Sequence, residues 1–318
     1  MLQKIWKIGK SILFLTILCV TLYGVTILVL PEIPDFYKED EWDVVFFGTS
    51  QTYCTFDPMI FDEYALKTYN RGRQQQTMNY TYYYIKDAFD VSDIDVVVLE
   101  IFGMFYDEGD ERFINETIRE SSLGDFRYSP IKLEVIRECV PEEKQFPYLF
   151  PLDKYHSNWE KWDFTSFDAF QDTVISPYYF EGEDRGYKRW SSYEWTDYPD
   201  WGTLHSGYHE DVYEENMKYL EMIRELCEAN NAELLLVRGP FPCYEMVIGK
   251  TNTIMDWAID NHVEMVNFMN LTGEIGMDFG MDSLDGGVHL NESGAAKVSR
   301  YLAEYLMDNY FGWDLQSN

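Results

Sequence analysis

An uncharged run from Ser11 to Leu30, rich in Leu, Ile and Val, follows Lys4, Lys7 and Lys10. At a helical rise of 1.5 Å per residue, about twenty such residues cross a bilayer core. The run therefore predicts a transmembrane helix and divides the chain into residues 1–10, 11–30 and 31–318. Acidic residues follow at once (Glu32, Asp35, Glu39 and Asp40), so lysine on one side and acid on the other predict a cytoplasmic N-terminus. The larger part is expected outside a plasma membrane that the chain crosses once. A cleaved signal peptide fits less well, because the apolar run is long and Pro31–Pro34 offers no small-residue cleavage site.

The outer part is long enough for one large domain, or one domain carrying an insertion. Without the three N-terminal lysines it holds 22 basic against 56 acidic residues, a net −34, which argues against nucleic acid as a partner. Cys54, Cys139, Cys227 and Cys243 are scattered without C-x-x-C spacing, so a zinc cluster is not expected.

Short apolar runs recur at 43–47 (DVVFF), 95–101 (DVVVLEI), 233–238 (ELLLVR) and 264–269 (EMVNFM). Near-continuous hydrophobicity suits strands covered on both faces. Helical stretches are expected at 58–65, 76–89, 212–230, 253–261 and 293–310, the last with Ala295, Val298, Leu302 and Leu306 on one stripe. The alternation predicts an α/β fold, a three-layer αβα sandwich around a mainly parallel sheet. From about 105 to 208 the rhythm breaks into Trp, Tyr, Pro and acidic residues, which reads as an insertion or cover on the sheet.

Two places could carry chemistry. Gly48-Thr49-Ser50 directly follows the first strand, and open α/β sheets bind ligands at the carboxyl ends of their strands. The same three residues also suit an ordinary helix cap. His289, in Asp285-Gly286-Gly287-Val288-His289-Leu290-Asn291, precedes the last helix and could act as general base for a serine, with Asp285 or Asp282 as the orienting acid. A plain loop histidine is the alternative.

Taken together, Gly-x-Ser after the first strand and Asp-x-x-x-His-Leu-Asn-x-x-Gly-Ala before the last helix resemble the SGNH (GDSL-type) hydrolase superfamily. The resemblance is closer to a membrane-anchored branch, similar to proteins of teichoic-acid D-alanylation and of alginate and peptidoglycan O-acetylation. Val44–Ser50 with Phe56-Asp57-Pro58, Tyr69-Asn70-Arg71-Gly72, Tyr82–Lys86, Val97–Glu100 and Tyr155–Trp159 agree with it.

The resemblance implies Ser50 as nucleophile and His289 as base, with the amides of Ser50 and Gly72 as oxyanion donors. It also implies an acyl-ester or cell-envelope glycopolymer substrate and no cofactor or metal. A multi-span membrane acyltransferase is an implied partner. The chain departs from the pattern twice: Glu100-Ile101-Phe102-Gly103 replaces the usual Asn after the third strand, and Gly286 stands where the acid is commonly found. Glu100 could then orient a neighbour or bind a polar partner. His156 could approach the pocket from the insertion, and Trp159, Trp162, Trp190, Trp195 and Trp201 could stack on sugar rings. The function expected is serine-dependent acyl transfer or hydrolysis, with a non-catalytic accessory subunit and a simple surface esterase as rivals.

Overall fold

A computed structural model describes residues 2–29, 34–157, 185–194, 207–241 and 245–313. In chain order its first elements are α1 (Leu2–Val29), β1 (Glu41–Phe47), α2 (Ser50–Thr55), α3 (Pro58–Asp62), β2 (Thr68–Asn70), α4 (Met78–Phe89) and β3 (Asp93–Glu100). There follow α5 (Glu111–Ile114), α6 (Glu116–Gly124), α7 (Pro130–Cys139), α8 (Phe146–Leu149) and α9 (Pro151–Tyr155). The last group is α10 (Glu214–Ala229), β4 (Glu233–Arg238), α11 (Glu245–Asp260), β5 (Glu264–Asn267), α12 (Phe279–Asp282) and α13 (Glu292–Leu306).

The chain divides into two compact units, one of residues 1–34 with 127–179 and one of residues 35–126 with 180–318. The stretch expected as an insertion contributes to both. In the first unit, α1 contains Trp6–Thr26, long and apolar enough to cross a membrane, a test that a signal sequence also passes. Elsewhere in that unit the Tyr128 hydroxyl donates to the Leu149 carbonyl at 2.7 Å and the Phe146 and Phe150 rings lie 4.6 Å apart.

The second unit is built on five strands in the order β2-β1-β3-β4-β5, every pair parallel. Alternate side chains leave opposite faces of a strand. Val44, Phe46, Val96, Val98, Leu235 and Val237 point to one face, where Phe56 and Phe61 of the α2–α3 corner and Val298, Leu302 and Leu306 of α13 close over them. The alternate set, including Val45, Phe47, Val97 and Leu99, is equally buried, with α4 against β1 and β3 and α10 against α4 and β4. This is the three-layer αβα sandwich with helices on both faces of a parallel sheet.

The strand order reverses between β1 and β3, so the chain leaves these neighbours in opposite directions and a crevice opens above their carboxyl ends. The α2–α3 corner is fixed to the last helix there. The Ser299 hydroxyl donates to the Thr55 carbonyl at 3.1 Å and accepts from the Asp57 amide at 3.0 Å. Asn70, ending β2, supports α2 from beneath, donating to the Thr52 and Phe56 carbonyls at 2.9 and 3.0 Å.

Phe46 packs against Phe56 and Phe61 at ring-centroid distances of 4.7 and 5.0 Å, at the centre of this core. Phe46→Ala is expected to lower stability by about 3–5 kcal/mol, read as a shift in the denaturant midpoint at constant slope.

Candidate active site

β1 ends at Phe47, and Gly48 turns the chain with φ +142°. Thr49 then caps α2, its hydroxyl oxygen accepting from the Gln51 amide at 3.2 Å. Ser50 becomes the first helical residue, half-buried at the carboxyl edge of the sheet. Its amide, in the first turn, has no acceptor within the helix.

His289 reaches Ser50 from the far end of the chain. Its Nε2 lies 2.8 Å from Ser50 Oγ and its Nδ1 2.7 Å from Asp285 Oδ2. The other Asp285 oxygen accepts from the His289 amide at 2.8 Å, so one carboxylate holds both backbone and ring of the same histidine. This four-residue closure needs Gly286 and Gly287, both at positive φ (73° and 102°). A carboxylate only accepts, so Nδ1 carries the proton and Nε2 is the acceptor for the serine hydroxyl.

Asp282, the alternative acid, is elsewhere engaged. It is 1% exposed, accepts from Lys297 Nζ at 2.5 Å, from the Ser293 hydroxyl at 2.7 Å and from the Asp278 amide at 2.7 Å. Its role is to anchor the start of α13. The geometry leaves Asp285 as the partner of His289.

Three further residues expected to serve the site make contacts of their own. The Gly72 amide donates to Asn70 Oδ1 at 3.1 Å. What position 72 requires is closeness, since a Cβ there would lie 2.6 Å from Thr52 Cβ and 2.8 Å from the Thr49 carbonyl oxygen. Glu100 is 0% exposed. It holds its neighbours, accepting from the Phe102 amide at 3.1 Å and lying 3.4 Å from Thr49 Oγ1. Burial pushes its carboxyl up to about 8, against the opposing pull of those donors and of Arg238. His156 belongs to the first unit, is exposed, and has Nδ1 2.9 Å from the Asp153 carbonyl oxygen. Asn158, Trp159, Trp162, Trp195 and Trp201 lie outside the described residues.

Other residues that hold the site were not apparent in the sequence. The buried Gln51 side chain donates to the Val288 carbonyl, fastening the serine helix to the histidine loop. Ser283 closes that loop on itself, accepting from the Gly287 amide and donating to the His289 carbonyl at 3.3 Å. Residues 185–194 run along the rim: the Lys188 amide donates to the Tyr53 carbonyl at 2.8 Å and the Glu292 amide to the Trp190 carbonyl at 2.8 Å. Long-range contacts of this kind leave no local pattern. Burial pushes both the Tyr53 hydroxyl and the neighbouring Cys54 thiol up to about 12, so Cys54 is held as a thiol and is no competing nucleophile.

Among the described residues no group of three or more His, Cys, Asp or Glu side chains could hold a metal. A separate cavity of about 230 Å³ opens beyond the ends of β4 and β5, lined by Arg238, Asn267, Thr251 and Asn252 among others.

Comparison with known proteins finds no matching family model and no matching curated protein. Two solved structures resemble the chain at a TM-score of 0.39. One, from Desulfitobacterium hafniense, is assigned to the G-D-S-L lipolytic family, with 12% identity over 84% of this chain and 99% of its own. The other, from Bacteroides fragilis, is assigned as an acylhydrolase, with 13% identity over 89% of this chain and 92% of its own.

The two aspartates are separable by experiment. Asp282→Ala removes a buried acceptor of charge-assisted bonds and is expected to cost about 2–3 kcal/mol of stability. Asp285→Ala, at a site where the carboxylate is 39% exposed, is expected to shift thermal unfolding little while abolishing any function of the histidine. Equal loss of stability in both would contradict the assignment.

Proposed function

We propose that the protein is a serine-dependent acyl-ester enzyme of the SGNH type that transfers or hydrolyses acyl groups on a cell-envelope polysaccharide or glycopolymer. The observation that carries this reading is the continuous chain Ser50 Oγ, His289 Nε2, His289 Nδ1, Asp285 Oδ2, with links of 2.8 and 2.7 Å at the mouth of the β1–β3 crevice.

As Ser50 Oγ bonds to the acyl carbon, its proton passes to His289 Nε2 and the carbonyl electron pair moves onto oxygen. Asp285 holds the ring and stabilises the imidazolium so formed. The Ser50 amide is a donor for the oxyanion, a type of contact worth about 3–4 kcal/mol to such a transition state. Collapse breaks the ester C–O bond, and His289 returns the proton to the departing alcohol. A sugar hydroxyl or water then attacks the acyl-enzyme, loses its proton to His289 and frees Ser50. Transfer requires that water be kept from the acyl-enzyme, a role for the rim formed by residues 185–194.

In this reading α1 is an uncleaved anchor in the plasma membrane. Its lysines lie on the cytoplasmic side and the catalytic unit lies outside. The acyl donor is membrane-borne, and a multi-span acyltransferase is the partner that supplies it. The second reading, a non-catalytic accessory of such an acyltransferase, is favoured by one observation: Gly72 and Glu100, two positions expected to serve the oxyanion or substrate, are both occupied internally.

The full-length protein in detergent, treated with a fluorophosphonate and separately with p-nitrophenyl acetate, decides between them. Covalent labelling and a burst, both absent in Ser50→Ala, are expected. His289→Ala should lower the acylation rate by about 10²–10⁴. A wild-type protein that neither labels nor turns over, beside a strain in which Ser50→Ala leaves envelope acylation intact, would leave the accessory reading standing.

A further inference from the structure

The cavity of about 230 Å³ beyond β4 and β5 shares the carboxyl edge of the sheet with Ser50, which follows β1. Neighbouring strands lie about 4.8 Å apart, so β4, two places along from β1, is about 10 Å away. The edge between them carries Phe102, half-buried after β3, and Phe241, buried after β4, with ring centroids 5.1 Å apart.

One wall of the cavity is the segment 207–210, fastened to α11. The Asn252 side chain donates to the Tyr208 carbonyl at 2.7 Å, and the Thr253 hydroxyl to the Glu210 carbonyl at 2.7 Å. The segment comes this close because residue 249 is glycine, where a Cβ would lie 2.8 Å from both Glu210 Cγ and Tyr208 Cε1. Arg238, 1% exposed, reaches the cavity from the end of β4, its Nη1 3.4 Å from Asn267 Oδ1. The same Asn267 oxygen accepts from the Met269 amide at 3.1 Å, which leaves Asn267 Nδ2 as a donor with no partner among the described residues. The Thr251 hydroxyl, 2% exposed, donates to the Val247 carbonyl at 2.7 Å and keeps its oxygen as an acceptor. The exposed Asn270 carboxamide completes the polar side, and Ile248 and Met255 supply an apolar one.

We propose that this cavity is a sugar subsite, taking one hydroxyl-rich ring of a saccharide chain whose ester is presented to Ser50. The tie to Ser50 rests on the serine reading given above; the binding of saccharide does not. A sugar hydroxyl both donates and accepts, and the lining offers both, with Asn267 Nδ2 as donor, Thr251 Oγ1 as acceptor and the Asn270 carboxamide as either. The C–H face of the ring has Ile248 and Met255 to lie against, the combination of apolar wall and few convergent polar groups that small-molecule sites use. At about 30 Å³ per water the space holds about seven waters, the room of a single ring. An anion is the poorer occupant, because Arg238 is matched in the lining by Asp256 and the whole chain carries a net −31. A saccharide chain crossing the Phe102–Phe241 stretch spans both places, whereas a small ester reaches Ser50 alone.

The test uses full-length protein in a detergent without a sugar headgroup. Cellotetraose, maltotetraose and chitotetraose are titrated calorimetrically into wild type, Ser50→Ala, Asn270→Ala and Met255→Trp, with acetate and inorganic phosphate as the anion arms. At least one tetrasaccharide is expected to bind wild type and Ser50→Ala alike. Asn270→Ala should weaken it about tenfold, and Met255→Trp, which fills the cavity, should abolish it. Thermal unfolding of each variant shows that it is folded, and Asn270→Ala decides alone if Met255→Trp is not. With p-nitrophenyl acetate as donor, the wild type should pass acetyl to the bound tetrasaccharide, and the share passed to sugar rather than water should fall in both cavity variants.

Binding of none of the tetrasaccharides, binding of acetate or phosphate alone, or binding undiminished in the folded cavity variants overturns the proposal. Saccharide that binds the cavity but receives no acetyl, beside Ser50-dependent turnover, overturns the tie to Ser50. Turnover that survives Ser50→Ala overturns the serine reading instead, and the calorimetry then decides the cavity by itself.

Discussion

Position 48 admits no side chain. With φ at +142° and the Glu100 carbonyl oxygen 2.7 Å from where a Cβ would be, the ends of β1 and β3 can approach only because this residue is glycine. That approach sets everything above it. It turns the chain sharply enough for Thr49 to cap α2 and for Ser50 to open the helix at the crevice between diverging connections. Without the turn, β1 would run on and Ser50 would alternate into one face of the sheet.

The histidine side is held by different means. The loop from Ser283 to Leu290 is short and closed by a pair of backbone contacts, the Leu284 amide to the His289 carbonyl at 2.9 Å and the Asn291 amide to the Asp282 carbonyl at 3.0 Å. Within it, two glycines at positive φ let Asp285 fold back on His289 across four residues. α13 then carries the loop to the serine side, through Ser299 on the α2–α3 corner, and Gln51 completes the fastening. Two loops separated by most of the chain share one rigid frame because the final helix packs on the same face of the sheet as the first corner.

Much of the frame was legible in the sequence. Runs such as ELLLVR are buried on both faces and need no alternation, and β4 occupies 233–238 as expected. β2 was invisible because it is three residues long and pairs only with β1. The helix expected at 253–261 begins earlier, at Glu245. The last helix, expected to 310, is regular only to Leu306 before a wider turn over Met307–Phe311. At the site, Ser50, His289 and Asp285 could be identified as candidates because each sits in a local motif. Gln51, Asn70 and Ser283 could not, because what they do depends on partners brought near by folding. Gly72 was noticed for its motif, but its amide is turned inward to Asn70, which only the tertiary arrangement reveals.

Two carboxyl groups that touch the serine turn or its histidine neighbour stand in different surroundings. Asp285 is 39% exposed and meets both the amide and the ring Nδ1 of a single histidine. Glu100 is fully enclosed, with Phe102 and Thr49 as its near donors, surroundings that favour the uncharged acid. The Gly48 approach that turns the chain toward Ser50 thus also packs the Glu100 side chain against the same turn.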